Sequence, residues 1–316
     1  MRRPLVSVMS ALRTIACVAM LLPAAGAARA ATLDLTGTPG NNYDKANFRL
    51  WLPDGAGPVR AIVVLVPGSN GDGRPQADEE FWQTFATRNR LALVGCQFTD
   101  KQHDQMFIEH YVDVSKGSGQ ALIDALATFA SRANHPELAS APLLLWGMSA
   151  GGEFNYEFVA WKPERVLAFI VNKGNVYYTA LASQAARNVP GILFTGEKDL
   201  EFRVNTIVGL FAVNRRAGAL WAYAQEPGIG HAVGRSRDVA VMLYEDMLAA
   251  RLPEPGSTSS ALRPVSEKAG FYGDMKTRMF EPVKDAKAPT YPVAWLPTER
   301  LAKAWQAVIT GTPFDQ

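Results

Sequence analysis

The stretch Pro142-Leu143-Leu144-Leu145-Trp146-Gly147-Met148-Ser149-Ala150-Gly151-Gly152 decides the fold. Its first five residues are an unbroken apolar run of strand length. Gly147 to Gly151 fit the pattern G-x-S-x-G, and residues 153–161 carry a helical pattern that Pro163 stops. Strand, sharp turn and helix is the setting this motif needs for chemistry. The turn lifts the Ser149 hydroxyl above the sheet, and side chains at the flanking glycine positions would collide. The pattern is short enough to arise by chance, and a glycine-rich turn without chemistry would read the same way. Its surroundings have to decide.

Outward from this stretch, short β-rich runs alternate with helical patterns. Strands are predicted over residues 48–52, 61–66, 91–97, 142–146, 166–171, 191–195 and 220–224. Helices are predicted over 81–90, 120–133, 153–161, 205–216 and 238–251. In the second of these, Leu122, Ala125, Leu126 and Phe129 fall on one face at i, i+3, i+4, i+7 spacing. Alternation of this kind predicts an α/β fold with a mostly parallel sheet covered by helices on both faces. The strands are apolar throughout, as strands buried on two faces must be.

A Ser hydroxyl needs a general base to become a nucleophile. Of the four histidines, His103, His110, His135 and His231, only His231 follows all the predicted strands. It sits in Glu226-Pro227-Gly228-Ile229-Gly230-His231, a glycine-rich loop able to bring an imidazole over the sheet edge. His103 and His110 lie in a polar loop, and His135 precedes Pro136 as a turn residue would. The base needs an orienting carboxylate. Gly196-Glu197-Lys198-Asp199 follows the strand at 191–195, at the edge where open α/β sheets place their sites. Asp199 is the expected acid, with Glu197 and Glu201 as rivals by proximity. The oxyanion of an acyl-transfer intermediate needs preplaced N–H donors. One is expected from Ala150, just after the nucleophile. The other is expected from Pro67-Gly68-Ser69-Asn70-Gly71-Asp72-Gly73, at Ser69 or Asn70.

Val66-Pro67-Gly68-Ser69-Asn70-Gly71, Gly147-Met148-Ser149-Ala150-Gly151-Gly152, Thr195-Gly196-Glu197-Lys198-Asp199 and Gly230-His231 together resemble the α/β-hydrolase superfamily. Within it the chain is most similar to small secreted bacterial esterases of the dienelactone-hydrolase or polyhydroxybutyrate-depolymerase-like kind. The resemblance covers about residues 45 to 250. It implies the α/β-hydrolase fold, a three-layer sandwich, and the roles of nucleophile, acid and base for Ser149, Asp199 and His231. The chain order Ser, acid, His is that of this class. Many esterases of the superfamily carry His-Gly in the oxyanion loop, where this chain has Pro67-Gly68-Ser69. The second oxyanion donor therefore stays open between Ser69 and Asn70.

The chain has 316 residues, 48% hydrophobic and 20% charged, with a net charge of +2. No Lys/Arg cluster suggests a nucleic-acid partner. Arg2, Arg3 and Arg13 precede a small apolar run that ends in Ala28-Arg29-Ala30, the form of a secretory leader cleaved after residue 30. Cys17 lacks the setting of a lipidation site, and Arg2-Arg3 is a poor twin-Arg match. The expected location is the periplasm or the outside of the cell, with no membrane insertion after cleavage. Cys96, alone after that cleavage, cannot form an internal disulfide and reads as a buried core residue. Residues 31–252 are expected to form the main domain. Pro253 to Ser260 reads as a linker, and 253–316 as an extension whose helix at 298–309 packs on that domain. No phosphate loop, dinucleotide fingerprint or metal-ligand spacing is present, so neither cofactor nor metal is implied. The expected activity is hydrolysis of a small or polymeric carboxylic ester through an acyl-enzyme on Ser149. A peptidase, an acyltransferase or a non-catalytic binding protein on the same fold are the alternatives.

Overall fold

Strand β3 (Ile62–Val66) shows why the sheet has a core on each face. Ile62, Val64 and Val66 point into one apolar cluster, and Ala61, Val63 and Leu65 into another. Side chains alternate along a strand, so a continuous apolar run serves two faces at once. The run 143–146 behaves likewise, with Leu143 and Leu145 on one side and Leu144 and Trp146 on the other.

The computed structural model describes residue 1 and residues 31–55, 57–254 and 261–314. The expected leader and most of the expected linker lie outside the described residues. Among the described residues the main sheet has eight strands: β1 (Ala31–Thr36), β2 (Lys45–Leu52), β3 (Ile62–Val66), β4 (Ala92–Thr99), β5 (Leu143–Gly147), β6 (Val166–Asn172), β7 (Gly191–Gly196) and β8 (Trp221–Glu226). Their spatial order is β1-β2-β4-β3-β5-β6-β7-β8. Strands β3 to β8 run parallel to one another, and β2 is antiparallel to both β1 and β4. The helices are α1 (Glu80–Asn89), α2 (Ser118–Arg132), α3 (Ala150–Trp161), α4 (Gln184–Arg187), α5 (Glu201–Arg216), α6 (Ser236–Arg251) and α7 (Glu299–Thr310).

Phe129 of α2, Phe154 and Phe158 of α3, and Ile207 and Leu210 of α5 cover the first face. Trp82 and Phe85 of α1, Leu243 and Met247 of α6, and Trp305 of α7 cover the second. The result is three layers, helix–sheet–helix. Each fully buried large side chain contributes roughly 1.5–3 kcal/mol by leaving water.

Three differences from the sequence reading have physical causes. Strand β1 was not predicted, yet Ala31, Leu33 and Leu35 alternate inward and pair it antiparallel with β2. Helix α5 starts at Glu201 rather than 205, because its first turn is largely exposed and carries no apolar pattern. Helix α3 starts at Ala150 rather than 153, taking in Gly151 and Gly152, poor helix formers held by what surrounds them. A second, three-stranded sheet is formed by β9 (Phe271–Asp274), β10 (Met279–Pro282) and β11 (Ala294–Leu296). Helix α7 has Thr298 as its N-cap, whose hydroxyl accepts from Leu301 N. Trp305 of α7 is buried and donates its Nε1–H to Tyr223 O of β8 at 2.7 Å.

Candidate active site

Ser149 sits between β5 and α3 at φ 55°, ψ −127°. A non-glycine residue at positive φ is strained, at a cost of about 1–3 kcal/mol, and persists only where its surroundings force it. Two glycines permit this. A Cβ at Gly147 would lie 2.2 Å from Gly151 O, and one at Gly151 would lie 2.1 Å from Val66 O and 2.6 Å from Pro67 O. Helix α3 therefore begins pressed against the end of β3 with nothing between their backbones. Ser149 N–H donates to Asn172 O, the last residue of β6, at 2.8 Å. The serine stands at the C-terminal edge of the sheet.

At the same edge, His231 Nδ1 lies 2.8 Å from Asp199 Oδ2. Backbone contacts hold these two loops together. Lys198 N donates to Ile229 O at 2.8 Å, and Gly228 N to the Glu197 carboxylate at 2.6 Å. A Cβ on Gly196 would meet the carbonyls of Ile229 and Gly230 at 2.4 Å, so glycine is what lets the loops touch. Burial works to raise the Asp199 carboxyl. Hydrogen bonds from His231, Leu200 N and Arg203, with the charge of His231, outweigh that and hold it below the usual carboxylate range. Glu197, a rival by proximity, instead braces the histidine loop, and Glu201 is exposed at the start of α5. Among the described residues no hydrogen bond joins His231 to Ser149 Oγ. Hydrogen bonds of this kind often tighten only around a substrate.

The loop after β3 comes up beside the serine, with the Cβ position of Gly68 3.6 Å from Ser149 Cβ. Asn70, at φ 53°, already donates its N–H to Tyr111 Oη at 3.2 Å, and its side-chain oxygen accepts from Asp100 N at 2.7 Å. The amides of Ser69 and Ala150 have no partner among the described residues. No three His, Cys, Asp or Glu side chains gather as metal ligands among the described residues, and no helix there is long and apolar enough to cross a membrane.

No known family's sequence profile matches the chain. No curated protein matches it either. Solved structures do. A poly(3-hydroxybutyrate) depolymerase from Bordetella parapertussis is 18% identical, covering 73% of this chain and 92% of its own, at a TM-score of 0.50. The chain has the α/β-hydrolase fold. A Pyrobaculum calidifontis esterase (14% identical, 71% of this chain and 86% of its own, TM-score 0.48) and an S-formylglutathione hydrolase from Agrobacterium tumefaciens (12%, 70% and 95%, 0.49) are also similar. At these identities the likeness concerns the fold and leaves the chemistry to the residues.

Several residues of this candidate site lie outside the sequence motifs. Arg203 Nη1 approaches Asp199 Oδ1 at 3.3 Å, an i, i+4 pair that the sequence does carry. Its guanidinium also lies over the rings of Phe107 and Phe202, at 5.5 and 5.6 Å. Glu153, on the first turn of α3, is buried with neither carboxylate oxygen in a well-formed hydrogen bond. Burial, reinforced by the charge of Glu109, pushes its carboxyl well above the usual range, and the amides of Val176 and Asn175 offset this only in part. Asn172 and Lys173 are buried polar residues ending an apolar strand, a pattern break visible in the sequence but unread.

The remaining histidines are accounted for locally. His103 meets Asp100 and stacks on His110 at 4.4 Å, and His135 pairs with Glu137 at 2.8 Å. Cys96 is wholly buried, and burial pushes its thiol up, the opposite of what a nucleophile needs. Trp146 belongs to the core, while Tyr178 and Phe202 are exposed.

Proposed function

We propose that this chain is a secreted serine hydrolase that cleaves carboxylic esters through an acyl-enzyme on Ser149. The observation that carries this is the 2.8 Å contact from His231 Nδ1 to Asp199 Oδ2, made at the sheet edge where Ser149 stands in its strained turn. With Nδ1–H held by Asp199, the Nε2 lone pair is the base. It takes the proton from Ser149 Oγ as the oxygen attacks the ester carbonyl. The oxyanion is received by Ala150 N–H and Ser69 N–H. Ser69 is favoured over Asn70 because the Asn70 amide is already committed to Tyr111. Removing one such donor typically costs about 10²–10³ in rate. His231 Nε2–H then protonates the leaving alkoxide. It next deprotonates a water, which attacks the acyl carbonyl, and it gives that proton back to Ser149 Oγ as the acid leaves. The Ala-Arg-Ala pattern at 28–30 supports export from the cytoplasm.

The test is a chain-length series of nitrophenyl esters set against peptide amides, with wild type and Ser149→Ala, alongside labelling by a fluorophosphonate. Ester turnover and labelling should both vanish in the variant while its melting curve stays in place. Undiminished turnover by Ser149→Ala would refute the assignment, and cleavage of amides in preference to esters would move it to a peptidase.

A further inference from the structure

His231 is carried on a loop, residues 227–235, and a general base must be held to a fraction of an ångström. From the inside, the loop is tied to the serine by buried polar groups. Asn172 O accepts from Ser149 N at 2.8 Å. Asn172 Nδ2 donates to Val233 O and to Ser236 Oγ, each at 2.9 Å. Lys173, fully buried, donates to Asn172 Oδ1 at 3.0 Å and pairs with the buried carboxylate of Glu226. The other oxygen of Glu226 accepts from Arg235 N at 2.7 Å. Gly234, at φ +57°, leaves room for that carboxylate, since a Cβ there would sit 2.2 Å from it.

From the outside, the loop is held by the end of the chain. Arg235 Nη1 donates to Thr312 O at 2.6 Å and reaches Ala307 O at 3.4 Å. The guanidinium lies 4.3 Å over the Phe314 ring. The Cβ position of Gly311 lies 3.8 Å from Pro227 Cγ, in the first residue of the loop. The contacts end where a histidine loop needs its second anchor.

We propose that the C-terminal segment after α7, acting through Arg235, positions His231 against Ser149. The extension is thereby part of the catalytic apparatus and Arg235 a positioning residue. This rests on the reading of Ser149 and His231 given above. Loss of the Arg235 clamp lets the loop drift on the inner network alone, and a base misplaced by about 1 Å can cost about 10²-fold in rate. A drift of the base lowers kcat and leaves ester binding alone.

The experiment compares wild type, Arg235→Ala, Arg235→Lys, a chain ending at Gly311, and the combination of that ending with Arg235→Ala. The readouts are kcat and KM on a nitrophenyl ester, with thermal melting as the check of folding. Arg235→Ala should lower kcat by about 10- to 100-fold with KM within about twofold. Arg235→Lys should recover most of it, since an ammonium can still reach the Thr312 carbonyl. The shortened chain should match Arg235→Ala, and the combination should lose no more than either, as expected for two changes that break one contact. Wild-type kcat in Arg235→Ala or in the shortened chain, losses that multiply in the combination, or a loss carried by KM would overturn the proposal. If Arg235→Ala does not fold, Arg235→Lys and the shortened chain decide alone. Ser149→Ala separates the two readings. An inactive Ser149→Ala beside an unaffected Arg235→Ala defeats only the positioning role, and an active Ser149→Ala defeats both.

Discussion

Gly151→Ala adds one methyl group at the most crowded point of the site. Its carbon would lie 2.1 Å from Val66 O and 2.6 Å from Pro67 O, against the 3.0 Å below which real Cβ contacts essentially do not occur. The nearer gap is short by 0.9 Å, and both opposing atoms are backbone, so no side chain can turn aside. Helix α3 must move off the end of β3 by about that much, and Ser149 moves with it, away from the loop at Gly68 to Asn70. The amides of Ala150 and Ser69, proposed above to receive the oxyanion, then separate. A shift of this size predicts a loss of about 10²-fold in kcat, with a destabilisation of about 1–3 kcal/mol from overpacking. Gly209→Ala is the internal control. Gly209 is exposed on α5 with nothing within 4 Å of its Cβ position, so alanine there should stabilise by about 0.5–1 kcal/mol and leave turnover unchanged. Ester turnover and chemical denaturation of the two variants, measured together, read both effects. Wild-type kcat in Gly151→Ala would refute the argument that this glycine sets the position of the nucleophile.

Asp199→Asn should keep the fold and lower kcat by about 10⁴-fold, because the amide no longer fixes the imidazole tautomer; a loss under tenfold in steady-state turnover would count against Asp199 as the acid. Glu153→Gln should stabilise the protein at neutral pH. Burial holds this carboxyl well above its unfolded value, so the wild type binds the proton more tightly when folded and loses stability as pH rises through that interval. Each tenfold by which the buried acid is weakened costs about 1.4 kcal/mol above the interval. Melting curves of the two proteins should coincide in acid and separate towards alkaline pH, and a constant gap would exclude the effect. Trp305→Ala should cost about 3–5 kcal/mol, since it empties a fully buried site and removes a hydrogen bond to β8; urea denaturation reads this directly.

The sequence made the sheet legible because its strands are apolar on both faces. Leu143 to Trp146 admit no reading but a buried strand or buried helix segment, and the glycines that follow settle which. Ser149, Asp199 and His231 stand out as candidates because each follows such a strand. Strand β1 carries an alternation in Ala31, Leu33 and Leu35, but it directly follows the small apolar residues of the expected leader, which blur where it begins. The choice between Ser69 and Asn70 was not legible. It turns on the hydroxyl of Tyr111, distant in sequence from the loop, which takes one of the two amides. Arg235 and Glu226 were likewise invisible as partners of the histidine loop, because what they touch, Thr312, Phe314 and Lys173, comes from other parts of the chain. Contacts of long separation leave no local periodicity to read.

Strand β8 is the last in the order of the main sheet, so among the described residues its outer side has no ninth strand to pair with. An apolar strand with open backbone groups is a template for another copy of the same chain. The indole of Trp305 occupies the Tyr223 carbonyl, and α7 and β11 lie against the strand. At the opposite border, β1 presents Asp34 paired with Arg49, charges that discourage a stranger from docking. A chain cut before β11 would therefore be expected to self-associate through β8, and its solubility would fail before its sheet did.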